Sequence, residues 1–89
     1  MPTKTVTIIN KLGLHARAAA KFVATASRFG SQIDILRDTK VVNGKSIMGV
    51  MMLAASQGTE IELRIEGDDA EDAMLALETL INDRFGEGE

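Results

Sequence analysis

One short segment, residues 60–66, constrains the fold of this chain more than any other. It reads EIELRIE, so Ile61, Leu63 and Ile65 fall on one face of a β-strand while charged side chains fall on the other. A strand with one covered face and one solvated face is typical of an antiparallel sheet. The segment therefore predicts an antiparallel sheet that is covered on one side only.

Periodicity and turn residues predict three further strands and three helices. Strands are expected at residues 4–9, 32–37 and 40–42, and helices at residues 16–29 and 47–53, with a last helix that opens at residues 67–69. The order is βαββαβα, without a linker, an internal repeat or a low-complexity tract. This order predicts an α+β fold, a two-layer open-faced sandwich, and a single domain over residues 1–89.

Apolar stripes predict which faces of the two longer helices are buried. The stripe of the first helix comprises Ala16, Ala19, Ala20, Val23 and Ala26. That of the last helix comprises Ala70, Ala73, Met74, Leu77, Leu80, Ile81 and Phe85. Residues 86–89, which follow the second stripe, are expected to fray.

Composition narrows the classes of function. The 89 residues include one histidine and no cysteine, which leaves too few ligands for the usual transition-metal sites and excludes a thiolate nucleophile. We therefore expect no metal and no cofactor. No apolar run approaches the roughly 18 residues of a membrane span, so we expect no membrane insertion and a cytoplasmic location.

The charges are divided unequally along the chain. Residues 1–49 sum to +6 and residues 50–89 to −9, within a net charge of −3. Two interpretations remain open: two ordinary solvated faces, or electrostatic steering of an acidic partner toward the basic half. Nucleic acid is a poor fit because the chain is acidic overall and lacks Trp and Tyr for base stacking.

The only histidine lies where a turn passes into a helix. Gly13 precedes it, and an alanine-rich segment with Arg17 follows. Free N–H groups and the positive dipole end at a helix start favour an anion. A neutral imidazole is a nucleophile near pH 7, and a guanidinium binds phosphoryl oxygens. The segment predicts a phosphoryl site with His15 as nucleophile and the backbone N–H of Ala16 as a donor; the alternative is an ordinary surface or capping histidine.

Two sequence signatures resemble those of one family. Residues 13–19 read GLHARAA, similar to the active-site signature of HPr, the histidine-containing phosphocarrier of the bacterial phosphoenolpyruvate-dependent phosphotransferase system. Residues 42–51 read VNGKSIMGVM, similar to the second HPr signature around a regulatory serine. Their separation and the order of elements match the family over the whole chain. Ala18 stands where most members have proline, and residues 10–13 look more like proteobacterial and nitrogen-related members.

The resemblance implies a fold and a function. The sheet order would be 1-4-2-3, as in HPr. His15 would accept a phosphoryl group on Nδ1 from Enzyme I and donate it to an Enzyme IIA, and Arg17 would stabilise it. The protein would be a monomeric carrier and not an independent enzyme. Sugar transport, nitrogen-related regulation and a purely regulatory binding module remain alternatives for its role.

Ser46 and the helix after it each have two interpretations. Ser46 is a good N-cap, and the resemblance also makes it a phosphorylation site for HPr kinase/phosphorylase in organisms that have that enzyme. The Met-rich helix could be core, as such stripes usually are. The resemblance instead assigns it to a partner-docking surface beside Arg17, formed by Ala20, Ile47, Met48 and Met51.

Overall fold

A computed structural model describes residues 3–88 of the chain. The strands are β1 (Thr3–Thr7), β2 (Gln32–Arg37), β3 (Lys40–Asn43) and β4 (Glu60–Glu66). The helices are α1 (Ala16–Ala26), α2 (Ile47–Met52) and α3 (Ala70–Asn82), and a single 3₁₀ turn, Arg84–Gly86, follows α3. Within this part of the chain, no helix has the length and apolar character needed to cross a membrane.

The four strands form one antiparallel sheet in the order β1-β4-β2-β3. β4 lies between β1 and β2, with Glu62 opposite Thr5 and Leu63 opposite Ile35. The predicted class, a βαββαβα sandwich with strand order 1-4-2-3, is confirmed.

The alternation in β4 predicts its burial correctly. Ile61, Leu63 and Ile65 are buried, whereas Glu60 and Glu66 are exposed on the opposite face. The apolar face of the sheet packs against the helices in one hydrophobic cluster. The sheet is therefore covered on the side predicted from its sequence.

The predicted stripe of α1 is wrong in part. Ala19 and Ala26 are buried and Val23 is partly buried, as expected, but Ala16 and Ala20 are exposed. The other buried positions are Ala18 and Phe22. Burial of a phenylalanine removes far more apolar surface from water than burial of an alanine, so Phe22 decides which face of α1 meets the core.

The ends of four elements also differ from those predicted. β1 ends at Thr7, not residue 9, although the N–H of Ile8 still donates to Thr59 O at 2.9 Å. α1 ends at Ala26, not residue 29, because the N–H of Phe29 bonds three residues back to Ala26 O at 3.2 Å and tightens the last turn. α2 and β3 differ from their predicted ends by one residue each.

The stripe predicted for α3 is correct, with Leu80 only partly buried. Phe85, its last member, lies beyond the helix in the 3₁₀ turn and is fully buried at a positive φ of 55°. Lys21 Nζ donates to the carbonyl oxygen of Phe85 at 2.6 Å. The side chain and the carbonyl together fix the segment after α3.

The expectation that residues 86–89 fray is wrong for Glu87. Its N–H donates to Arg84 O at 3.0 Å, and its side chain is only 11% exposed. The buried Phe85 and the Lys21 hydrogen bond hold the chain where Glu87 can reach the rest of the fold. Glu89, the last residue of the expected tail, lies outside the described residues.

One carboxylate joins the start of α3 to the end of α1. Asp69 accepts from the N–H groups of Gly30 and Ser31 at 2.9 and 3.0 Å and also from the Ser31 hydroxyl. These hydrogen bonds, led by that of the Ser31 hydroxyl and then that of Gly30, lower the pKa of Asp69 from its usual value despite partial desolvation. The ionised carboxylate therefore clamps the turn between α1 and β2.

Candidate phosphoryl site

Gly13 brings the loop before α1 against the segment that follows α2. Its φ is +69°, and a Cβ at this position would lie 2.5 Å from Ala55 O and 2.8 Å from the Cα of Ser56. The next N–H, that of Leu14, donates to Ala55 O at 2.8 Å. Only glycine fits both this backbone conformation and this close approach, so Gly13 sets the position of His15.

His15 is the residue at which α1 begins. Its backbone is extended, with φ −76° and ψ 179°, and its carbonyl accepts the first helical hydrogen bond, from Ala19 N–H at 2.8 Å. The N–H groups of Ala16, Arg17 and Ala18 precede that bond and have no acceptor among residues 3–88. Unpaired N–H groups and the positive end of the α1 dipole thus face the same space as the imidazole.

The imidazole of His15 has one nitrogen engaged and one open. Its side chain is 29% exposed, and Nε2 is hydrogen-bonded to Oε2 of Glu87. An ionised carboxylate only accepts hydrogen bonds, so a neutral ring in this contact carries its proton on Nε2. Nδ1 then has a free lone pair and, within residues 3–88, no hydrogen-bond partner.

The other carboxylate oxygen of Glu87 accepts a hydrogen bond from the buried side-chain amide of Asn10. Asn10 is fully buried, and its Nδ2 donates to Gly13 O at 2.8 Å and to Glu87 Oε1 at 3.0 Å. Desolvation raises the pKa of Glu87, but the hydrogen bonds from Asn10 and His15 and the nearby charge of Lys21 outweigh it, so the pKa lies below its usual value. Glu87 is therefore ionised at neutral pH.

The sequence did not single out Asn10 or Glu87. Asn10 is a common residue for a turn, and Glu87 lies 72 positions from His15 in a segment rich in glycine. The one available signal was the apolar stripe that continues to Phe85, because a buried Phe85 fixes the chain immediately before Glu87.

Arg17 lies at the rim of an open depression beside His15. The depression has a volume of about 590 Å³ and is lined by Lys11, Leu12, His15, Ala16, Arg17, Gly86 and Glu87. Arg17 is exposed and makes no ion pair with any described residue, so its guanidinium can turn toward an anion at the start of α1. The structure thus brings together His15, Ala16 and Arg17. Over residues 3–88, no cluster of side chains suited to hold a metal ion is found.

Ser46 caps α2, as predicted. Its backbone is extended, and its Oγ accepts from the N–H of Gly49 at 3.1 Å. A cap of this kind stabilises a helix by about 1 kcal/mol. The Ser46 side chain is half-buried and lies at the N-terminus of α2, not in the depression that contains His15.

The core interpretation of the Met-rich helix is wrong for the three predicted docking residues. Ile47, Met48 and Met51 are 45%, 71% and 41% exposed, and Val50 is the only buried residue of α2. Met52, at 68%, adds to this apolar surface. Ala20 is also exposed, on α1, which packs against α2. Contiguous exposed apolar side chains often mark an interaction surface, whereas single exposed apolar residues are common on any protein surface.

Comparison with known proteins identifies the family. The family model described as "PTS HPr component phosphorylation site" matches residues 2–83. Phosphocarrier protein HPr of Pseudomonas putida is 59% identical over 90 residues, with both chains covered completely. The crystal structure of HPr-C-His from Thermoanaerobacter tengcongensis has a TM-score of 0.94 at 56% identity and covers 98% of each chain.

A second crystal structure from that organism, described as an HPr dimer, has a TM-score of 0.79 at 56% identity and covers 98% of this chain and 100% of its own. Neither the family description nor these names favour the nitrogen-related alternative. The site at the start of α1, the βαββαβα fold and the match over residues 2–83 lead to one conclusion: this chain belongs to the HPr family of phosphotransferase-system phosphocarriers.

Proposed function

We propose that this phosphocarrier of the phosphotransferase system receives a phosphoryl group on Nδ1 of His15 from a phosphohistidine of Enzyme I and donates it to a histidine of an Enzyme IIA. One observation carries the proposal: His15 begins α1 with Nε2 engaged, Nδ1 open and unpaired N–H groups beside it. As a protein that acts with these partners and has no membrane-spanning helix among residues 3–88, it would work in the cytoplasm.

The transfer needs only one nucleophile and one leaving group. The lone pair of Nδ1 attacks the phosphorus while the N–P bond of the donor breaks, and the bonding electron pair returns to the donor's imidazole nitrogen. The proton on Nε2 stays in place, so the His15 ring becomes positively charged as its phosphoryl group arrives. Donation to Enzyme IIA is the same step in reverse, with His15 as the leaving group.

The groups around His15 suit temporary storage of the phosphoryl group. The N–H groups of Ala16 and Arg17, with the α1 dipole behind them, can donate to phosphoryl oxygens, and the Arg17 guanidinium adds a charge-assisted contact. Positioning and charge stabilisation are the main requirements of phosphoryl transfer. The depression is open to solvent, which suits a carrier that must release the group again and has no substrate of its own.

Labelling with phosphoenolpyruvate and purified Enzyme I tests this function. His15→Ala should take up no phosphate while keeping its amide spectrum, because the variant loses the nucleophile but no core contact. Arg17→Ala should be labelled more slowly, by about tenfold, because one charge-assisted contact is worth roughly 1.5 kcal/mol. Undiminished labelling of His15→Ala would remove His15 from the role. Chase of the label from the native protein onto an Enzyme IIA tests the second half of the reaction.

We infer that Enzyme I and Enzyme IIA dock on the surface formed by Ala20, Ile47, Met48 and Met51. These side chains are exposed, and Met side chains adapt to several partners. Met48→Glu should weaken binding of Enzyme I by at least about tenfold, whereas Leu75→Glu, at a similarly exposed position on α3, should not change it. Amide shift changes confined to α3 on addition of Enzyme I would contradict this assignment.

We also propose that Ser46 is a regulatory phosphorylation site for HPr kinase/phosphorylase. A phosphoryl group there would add about −1.5 to −2 charges at the N-terminus of α2, which helix electrostatics tolerate, and would repel an acidic partner from the adjacent docking surface. Mass spectrometry after incubation with the kinase, with Ser46→Ala as the control, tests the proposal. An unmodified Ser46 in the native protein would refute it.

We propose that the transferring species is the monomer, because His15, Ala16 and Arg17 of one chain already line a common depression. Sedimentation at the concentrations used for transfer should give a single species of one chain. A dimer whose dissociation abolishes transfer would contradict this.

A further inference from the structure

We propose that Asn10 and Glu87 are positioning residues that fix the proton of His15 on Nε2 and so keep Nδ1 ready for phosphoryl transfer. The inference deepens the proposed function and rests on it for its kinetic part. Its structural part, the choice of tautomer, can be measured on the isolated protein.

The chain of hydrogen bonds has a defined polarity. Asn10 Nδ2 is a donor only, so the oxygen of Glu87 that it contacts must accept. Because Glu87 is ionised, its second oxygen also can only accept, and acceptance from His15 requires a proton on Nε2. The amide orientation of Asn10 is set independently, because Nδ2 also donates to Gly13 O at 2.8 Å.

The position of Glu87 is also held independently of His15. Lys21 Nζ bonds Phe85 O at 2.6 Å, the Phe85 side chain is fully buried, and the Glu87 N–H closes a turn on Arg84 O at 3.0 Å. The carboxylate is thus presented to the ring by the fold. Burial of most of its surface keeps water from competing for its oxygens.

The same contact matches the charge that appears during transfer. When Nδ1 gains the phosphoryl group, the ring carries a positive charge and retains the Nε2 proton. The carboxylate of Glu87 faces that proton and stabilises the charged ring. It lies on the side of the ring away from Nδ1, so the phosphoryl oxygens meet the N–H groups of α1 and not this carboxylate.

Glu87→Gln gives the sharpest test, because it should reverse the polarity of the contact. With Asn10 present, the carbonyl oxygen of the introduced side-chain amide turns to Asn10 and its NH₂ group turns to His15. Nε2 must then accept, which moves the ring proton to Nδ1 and blocks the nucleophile. Glu87→Ala only removes the contact, and in Asn10→Ala/Glu87→Gln the introduced amide is free to turn its oxygen back to Nε2.

The readouts are the ¹⁵N shifts of both His15 ring nitrogens and the single-turnover rate of phosphorylation by phospho-Enzyme I. We expect the Nε2–H form in the native protein and the Nδ1–H form in Glu87→Gln, with a phosphorylation rate about tenfold or more below native. Glu87→Ala should be phosphorylated faster than Glu87→Gln. Asn10→Ala/Glu87→Gln should recover the Nε2–H form and exceed the rate of Glu87→Gln. Glu66→Gln, on the outer face of β4, is the matched control and should behave as native.

The idea is overturned if Glu87→Gln keeps the Nε2–H form and the native rate, or if removal of Asn10 leaves the Glu87→Gln phenotype unchanged. A merely structural role would give the same loss in Glu87→Gln and Glu87→Ala without a change of tautomer, and that outcome also refutes it. Failure of the native protein to accept phosphate would refute the proposed function, whereas the tautomer measurements would still stand.

Discussion

At the scale of single residues, the site depends on a few positions where the backbone conformation and the neighbouring atoms permit only one type of residue. Gly13 is the clearest, since both its φ and its distance from Ala55 O exclude a side chain. The loop that it forms carries Asn10 on one side and His15 on the other. A change at Gly13 would therefore act on stability and on the phosphoryl site together.

Gly13→Ala should destabilise the protein by at least about 2 kcal/mol, because backbone strain at positive φ adds to a clash with fixed backbone atoms. Urea denaturation measures the change in the free energy of unfolding. Gly58→Ala is the matched control: its φ is +89° but no atom lies within 4 Å of a Cβ there, so strain alone should cost about 1 kcal/mol. Equal losses in the two variants would contradict the role of close approach at Gly13.

Individual residues also show where sequence reasoning succeeds and where it stops. His15, Arg17 and Ser46 follow from local signals, namely a glycine turn, a helix start and a cap, and each lies where those signals predict. Asn10 and Glu87 gain their meaning only from a contact across the fold. A pairing of this kind leaves no periodic pattern in the sequence, so only the three-dimensional structure reveals it.

At the scale of elements, the short helix α2 is fixed at both ends by different means. Ser46 caps its start, whereas Arg37 reaches its end, with Nη1 contacting the carbonyl oxygens of Leu53 and, at 3.0 Å, Ala54. Ala54 follows the helix with a φ of 52°, in the left-handed region that favours glycine. The end of α2 is therefore its strained part.

Ala54→Gly should stabilise the protein by about 1 kcal/mol, because glycine adopts this conformation without the steric cost borne by alanine. Thermal and urea unfolding both measure the gain. Ala24→Gly, at an exposed position inside α1, should have the opposite sign and lose about 1 kcal/mol. Destabilisation by Ala54→Gly would show that the positive φ carries no strain.

The junction between α1, β2 and α3 should respond to pH through Asp69. The lowered pKa means that the ionised carboxylate contributes stability above the unfolded value of 3.8, and that this contribution is lost as pH falls through the lower folded pKa. Asp69→Asn should therefore have a lower Tm than the native protein at pH 7, and the difference should shrink below pH 3.8. The exposed neighbour Asp68, changed to Asn, is the control. A Tm difference that stays constant with pH would contradict the clamp.

The elements themselves were largely predictable, because β4 and α3 carry strong periodic patterns. The face of α1 was not, since its alanines fit either side and only the packing of Phe22 decides between them. The ends of helices and strands differed from those predicted where hydrogen bonds between residues three apart, or contacts of turns, replace the regular helix or sheet pattern. The period of the apolar pattern predicts well whether an element is a helix or a strand. Which face of an alanine-rich helix is buried depends on the rest of the core.

At the scale of the whole molecule, the division of charge gives an expectation for partner binding. Lys11 and Arg17 lie at the depression, in the basic half of the chain. If they steer an acidic Enzyme I, the association rate should fall as salt screens the attraction. Stopped-flow association at increasing NaCl should show this decrease, and Lys11→Glu should lower the rate at low salt by about fivefold.

Lys40→Glu makes the same change of charge on the edge strand β3, away from the depression, and should have a much smaller effect. A rate that does not depend on salt, or equal effects of the two variants, would favour the simpler interpretation of two ordinary solvated faces.

The strand order also has a consequence for synthesis on the ribosome. β4 separates β1 from β2 in the sheet, yet it is the last of these four strands in sequence. Until β4 emerges, β1 has no neighbour to pair with, and the nascent chain can form only α1, α2 and the β2–β3 hairpin. Completion of the fold must therefore wait until β4 has left the exit tunnel, and His15 gains its Glu87 contact later still, because Glu87 follows β4 and α3 in the sequence.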